Sequence, residues 1–161
     1  VTDKLELTHP PTVAVGMLIR KPAAAVFEAF ADPAVTTRFW FTKSTGRVEP
    51  GATVEWHWEM YGVSTEVLVH DAEPGRRIVF DWGPKEAQTR VEFRFHPAPG
   101  DATYVHVTET NTHGDGDRLL AWALDSTGGF TMVLCAAKAL LEHGVELSVV
   151  GDKAPPKGVE L

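Results

Sequence analysis

The chain has 161 residues, 43% of them hydrophobic and 23% charged, which is the size and balance of one globular domain and excludes a disordered chain. Its formal net charge of -7 makes a surface that repels phosphate backbones, so no nucleic-acid partner is predicted. A single cysteine, Cys135, excludes an internal disulfide and points to a reducing compartment with a buried thiol.

Residues 1–11 are polar, end in Pro10-Pro11 and read as an arm. They carry no basic segment followed by an apolar core, and no run approaches the ~18 apolar residues of a membrane span. The expectation is a soluble, cytoplasmic protein without membrane insertion. Thr12 to Arg20 alternates Val13, Val15, Met17 and Ile19 with smaller residues, the pattern of a strand with one buried face. Pro22 then opens a short helix through AAAVFEAFAD, with Val26, Phe27 and Phe30 on its apolar edge. Asp32-Pro33 ends it or bends it, and a second helical turn follows over about Ala34 to Phe39. Phe39-Trp40-Phe41 fits neither period and reads as a plug closing the core or as a pocket rim.

Strands separated by turns occupy the next seventy residues. Thr53 to Tyr61 places Val54, Trp56, Trp58 and Met60 on one face. Val63 to Asp71 does the same with Val63, Thr65, Val67 and Val69, and Arg77 to Trp82 with Ile78, Phe80 and Trp82. Thr89 to Phe95 points Val91, Phe93 and Phe95 inward. Thr103 to Asn111 points Val105, Val107 and, by the same alternation, Glu109. Hairpins centred on Tyr61-Gly62 and Pro74-Gly75 put Trp56 opposite Val67 and Val67 opposite Trp82. Continuing across the looser loops predicts one row of Trp56, Val67, Trp82, Val91 and Glu109. Gly114 and Gly116 loosen the chain before Asp117, which caps a short helix carrying Leu119, Leu120, Trp122 and Ala123.

Ser126 to His143 has the sustained helical period. Phe130, Val133, Leu134, Ala137, Leu140 and Leu141 form one stripe, while Thr131, Lys138 and Glu142 are free to face water. Ser126 or Thr127 caps the start, Gly128-Gly129 kinks the entry or restarts the helix, and His143-Gly144 ends it. Residues 145–161 form a tail that wraps the surface or frays. The fold class is α+β: a curved antiparallel sheet of about six or seven strands wrapped around a long C-terminal helix, one domain over 1–161.

VFEAFADPAVTTRFW after the first strand, VEPGATVEW, EPGRRIVFDW, VTET at the last strand and GGFTMVLCAAKALLEHG together resemble the helix-grip fold of the START-related SRPBCC superfamily. The resemblance is closest to the branch named for the activator of the heat-shock-protein ATPase, its single-domain bacterial members especially. It covers about Thr12 to Gly144. It implies a hydrophobic cavity between sheet and helix, as in relatives that bind lipids, sterols, polyketides or hormones, and in the minority that are cyclases or dehydratases.

Three functions stay open. The first is binding of a small hydrophobic or aromatic molecule by Trp56, Trp58, Val67, Phe80, Trp82, Val91, Phe93, Phe130 and Leu134, oriented by Glu109, an indole N–H or an inward Tyr61. The tryptophans serve equally as core filler or cavity wall. The second is a cyclase- or dehydratase-like enzyme with Glu109 as acid or base. A carboxylate on an apolar face is costly unless partnered, and Arg38 or Arg118 is in reach if Glu109 sits at the cavity mouth. The third is a co-chaperone-like interaction module, which needs an exposed apolar patch. His57, His70, His96 and His106 lie on the polar sides of their strands and do not converge, so no metal is predicted. The absence of a phosphate loop, G-x-S-x-G, H-E-x-x-H or C-x-x-C predicts no cofactor. A monomer or a homodimer fits equally.

Overall fold

The alternation of large apolar and polar residues builds a seven-stranded antiparallel sheet with strand order β1-β7-β6-β5-β4-β3-β2 in the computed structural model, which describes residues 3–161. The strands are β1 (Thr12–Ile19), β2 (Lys43–Ser44), β3 (Thr53–Trp58), β4 (Val63–Glu73), β5 (Arg77–Trp82), β6 (Thr89–Ala98) and β7 (Ala102–Thr110). Helices α1 (Ala23–Ala31) and α2 (Pro33–Thr36) follow β1, and α3 (Gly116–His143) and α4 (Val149–Asp152) follow β7. The fold is α+β and helix-grip-like, with the sheet curved around α3. Residues 1 and 2 of the arm lie outside the described residues, and 3–11 run without regular structure to β1.

Pro22 and Asp32 bound α1 as their chemistry requires. The Asp32 side chain accepts a hydrogen bond from Ala34 N at 2.9 Å and so caps α2, whose first residue is Pro33. Phe27 and Phe30 of α1 reach the sheet, where Phe27 meets Phe95 edge-on at 5.7 Å and Phe30 lies 5.0 Å from Phe93. Phe39, Trp40 and Phe41 extend this cluster: Phe41 stacks on Trp56 at 4.5 Å and Trp40 lies 5.0 Å from it. Such pairs each contribute about 0.5–1.5 kcal/mol beyond area burial.

Four expectations are corrected. The hairpin between β3 and β4 closes through a 3-10 turn, Glu59–Tyr61, with Gly62 left-handed at φ 60°, so β3 ends at Trp58 and Met60 is exposed. The pairs are Val54↔Val67 and Trp56↔Thr65, two residues away from the predicted register. Val67↔Trp82 and Val91↔Glu109 hold, but Trp82 faces Thr89, and Val91 faces Phe80. The slips are even-numbered, so each side chain kept its face while the rows changed. Second, α3 is one continuous helix of 28 residues. Asp115, not Asp117, Ser126 or Thr127, is its cap, accepting from Arg118 N at 3.0 Å. Gly128 and Gly129 lie mid-helix without breaking it. Gly144 closes the helix at φ 66°, as the sequence predicts. Third, Lys138 and Glu142 do not face water. Lys138 Nζ donates to the Leu18 carbonyl at 2.7 Å and to Glu142 at 2.5 Å, and Glu142 also accepts from Arg20 N at 3.1 Å, which ties α3 to β1. Cys135, fourth, is half-buried rather than sealed.

The buried stripe of α3 is Phe130, Val133, Leu134, Ala136, Ala137 and Leu140. By length and hydropathy α3 could cross a membrane, but this stripe seals one face of it against the sheet. The tail folds back as well. Val149 and Val150 pack on the core, Lys153 pairs with Asp125 at 3.3 Å, and Glu146 takes Arg38 at 2.7 Å.

Candidate functional site

Between α3, the β3–β4 hairpin, the ends of β5, β6 and β7, and α4 lies a cavity of about 560 Å3. Its volume is that of small-molecule pockets. Six aromatic rings line it: Trp40, Trp58, Trp82, Trp122, Phe130 and Tyr61. Trp82 stands at 69° to Trp40 and 57° to Trp58, with centroids 5.9 and 6.3 Å apart, so these rings pack on one another as one aromatic wall. Phe130 approaches Trp82 at 5.8 Å from the helix side.

Glu109 supplies the buried polar point. It is 2% exposed, at the C-terminal end of β7 where alternation turns it inward. One carboxylate oxygen accepts from Trp82 Nε1 at 2.8 Å and Thr89 Oγ1 at 2.6 Å, and the other accepts from Ser126 Oγ. Three elements therefore converge on one side chain, because Trp82 and Thr89 are cross-strand partners in β5 and β6 and Ser126 faces them from α3. Neither Arg38 nor Arg118 is its partner: Arg38 is engaged by Glu146, and Glu109 is satisfied by neutral donors. Three of the roughly four acceptor positions of a carboxylate are used, which meets the requirement that a buried acid be hydrogen-bonded.

Of the residues singled out from sequence, Trp58, Trp82, Glu109 and Phe130 line the cavity. Trp56, Val67, Phe80, Val91, Phe93 and Leu134 lie in the packed core beneath it, all almost fully buried. Tyr61 does reach the cavity, but its hydroxyl donates to the carbonyls of Val150, at 2.5 Å, and Gly151, at 3.2 Å, so it clasps α4 over the mouth. The sequence reading missed Trp122, Thr89, Ser126, Val150 and the Asp125–Lys153 pair. Trp122, Ser126, Gly129, Phe130 and Val133 are one helical stripe, visible once α3 is read as continuous. The histidines go elsewhere: His57 meets Glu55 at 2.7 Å, and His70 meets Asp81 at 2.7 Å on the outer face.

Residues 20–142 match the family described as activator of Hsp90 ATPase homolog 1-like protein. The chain belongs to this family. No curated protein matches it. Solved structures of similar fold include a Staphylococcus saprophyticus protein with 28% identity, covering 85% of this chain and 96% of its own, at a TM-score of 0.73. The Aha1 dimer from Colwellia psychrerythraea is 16% identical over 83% of this chain and 98% of its own, with a TM-score of 0.72. CalU16 from Micromonospora echinospora is 16% identical over 88% of this chain and 82% of its own, with a TM-score of 0.66. These last two share the fold with this family member, and the match to the family places it in the SRPBCC superfamily.

Proposed function

We propose that the protein binds a small hydrophobic or aromatic molecule in the cavity between the sheet and α3. The observation that carries this reading is a wall of four tryptophans around a space of about 560 Å3, with one buried, hydrogen-bonded carboxylate at its edge. Burial of ligand area at ~25 cal/mol per Å2 would drive association, and the polar groups would orient it. Both Glu109 oxygens are already taken by protein donors, which favours an orienting role over proton transfer. A homodimer of the kind known for the Colwellia protein is compatible with this site. Leu120 and Leu124, one turn apart on the outer side of α3, would be the apolar surface available to it.

Gly129 provides the test. It lines the cavity, and a Cβ there would meet open space. Gly129→Leu should fill the cavity without harming the helix, since leucine is the better helix former by roughly 0.8 kcal/mol. The neutral probe N-phenyl-1-naphthylamine should bind the wild type and bind Gly129→Leu at least tenfold more weakly, with an equal or higher melting temperature for the variant. Equal binding by both proteins would remove the cavity as the site. Native mass spectrometry of protein from its own host then identifies what is carried.

A further inference from the structure

As a carboxylate, Glu109 has no cation beside it among the described residues. Its partners are an indole N–H and two hydroxyls, all neutral, and none of the ion pairs among the described residues includes it. The other charges on the cavity wall, Asp125 and Lys153, neutralise each other at the mouth, 3.3 Å apart. A buried carboxylate with three donors is hydrogen-bonded, but its field still extends into the low-dielectric space beside it.

The tryptophans act in the same direction. A ring face is the negative side of the aromatic quadrupole, and Trp40, Trp58, Trp82 and Trp122 all border the space. Trp82 donates its N–H to Glu109 at 2.8 Å, which polarises the indole and makes its face more electron-rich. The rings pack on one another, Trp82 against Trp58 at 57° and against Trp40 at 69°, so a ligand meets them as one wall of indole surface. Negative ring faces beside an unbalanced anion attract a cation and repel a carboxylate or phosphate.

Resting on the ligand-binding reading above, the geometry points to an organic cation as the ligand: a protonated or quaternary ammonium attached to a hydrophobic body. The ammonium sits among the indole faces within the field of Glu109, and the body fills the space toward Phe130 and Val133. A diffusely charged alkylammonium is the suitable form of cation, because it loses little hydration on entering an apolar box. A neutral alcohol could use the spare acceptor position of Glu109 but would leave its charge unbalanced.

Three naphthyl probes that differ in charge decide this by isothermal titration: 2-naphthylmethyl-trimethylammonium, 2-naphthylmethanol and 2-naphthylacetate. The expected order is cation tightest by at least tenfold over the alcohol, with the anion weakest. The contrast between cation and alcohol should fall at least fivefold in Glu109→Gln, and Gly129→Leu should lose the cation. If the alcohol binds as well as the cation while N-phenyl-1-naphthylamine still distinguishes wild type from Gly129→Leu, the charge preference is overturned and the binding site stands. If none of the three binds the wild type while N-phenyl-1-naphthylamine still does, the cation proposal falls alone; if N-phenyl-1-naphthylamine fails as well, the binding reading falls with it. If Gly129→Leu retains the cation at full affinity, the cation is on the acidic surface and the proposal fails. Should Glu109→Gln not fold, the wild-type series with Gly129→Leu decides alone.

Discussion

Trp56 shows what a single residue can be asked to do in this core. It is 1% exposed, its ring stacks on Phe41 at 4.5 Å, and its indole N–H has no acceptor. A buried unmade hydrogen bond costs about 1–3 kcal/mol. Trp82, two rows away, has the same polar atom but spends it on Glu109. Trp56→Phe removes the orphan donor while losing part of the ring, so the two effects oppose each other. Denaturant unfolding should give a loss below about 2 kcal/mol, against the 3–5 kcal/mol typical of a core tryptophan cut to alanine. A Trp56→Phe loss equal to that of Trp56→Ala would show that the unpaired N–H is no burden. Alternation alone made Glu109 visible in the sequence, because inward and outward positions in a strand are a matter of parity. Its donors were not visible, since Thr89 and Ser126 reach it only through a register and a helix phase that no local pattern specifies.

At the scale of elements, α3 holds the contrast that separates two kinds of glycine. Gly128 is mid-helix, and a Cβ there would touch nothing within 4 Å. Gly128→Ala should therefore raise stability by up to about 1 kcal/mol, from backbone entropy alone. Gly116 opens the same helix, but a Cβ there would lie 2.0 Å from the Leu5 carbonyl oxygen and 2.8 Å from its carbon. That neighbour is backbone and cannot swing aside, so Gly116→Ala must push the N-terminal arm off the helix. Thermal unfolding should show no gain for Gly116→Ala, and limited proteolysis should cut its arm sooner. A gain matching Gly128→Ala would mean that the arm is not held there. The same glycines explain why the helix looked shorter in sequence. Low propensity in the middle of an apolar segment resembles a boundary, yet packing on both sides overrides it. The strands were legible because parity survives an error of two in register, whereas the cavity rows were not. The length of the Glu59–Gly62 turn decides which tryptophan sits beside which.

Over the whole molecule, the two sides of the sheet follow opposite physics. The inner side is aromatic, and the tail clasped by Tyr61 over the cavity mouth could not be anticipated from a segment without periodicity. The outer side is laced by charge: Arg77 to Asp71 and Arg90 with His70 on Asp81 across strands, and Arg94 to Glu92 along β6. Asp81 joins three strands. Arg90 Nε meets it at 2.8 Å from β6 and His70 Nε2 at 2.7 Å from β4, beside the irregularity between Val69 and Asp71. The hydrogen bond from Arg90, and after it that from His70, holds the Asp81 carboxyl below its usual value although partial burial pushes the other way. The unfolded chain then takes up this proton at a higher pH than the folded one. The resulting stabilisation is complete above the ordinary carboxylate range and is lost as pH falls through the lowered native value. Asp81→Asn should accordingly melt below the wild type at pH 7, and the gap should begin to narrow near about pH 4 and go on narrowing as pH falls through the lowered native value. A gap that stays constant over that range would assign the loss to hydrogen-bond geometry across β4, β5 and β6 instead of to charge.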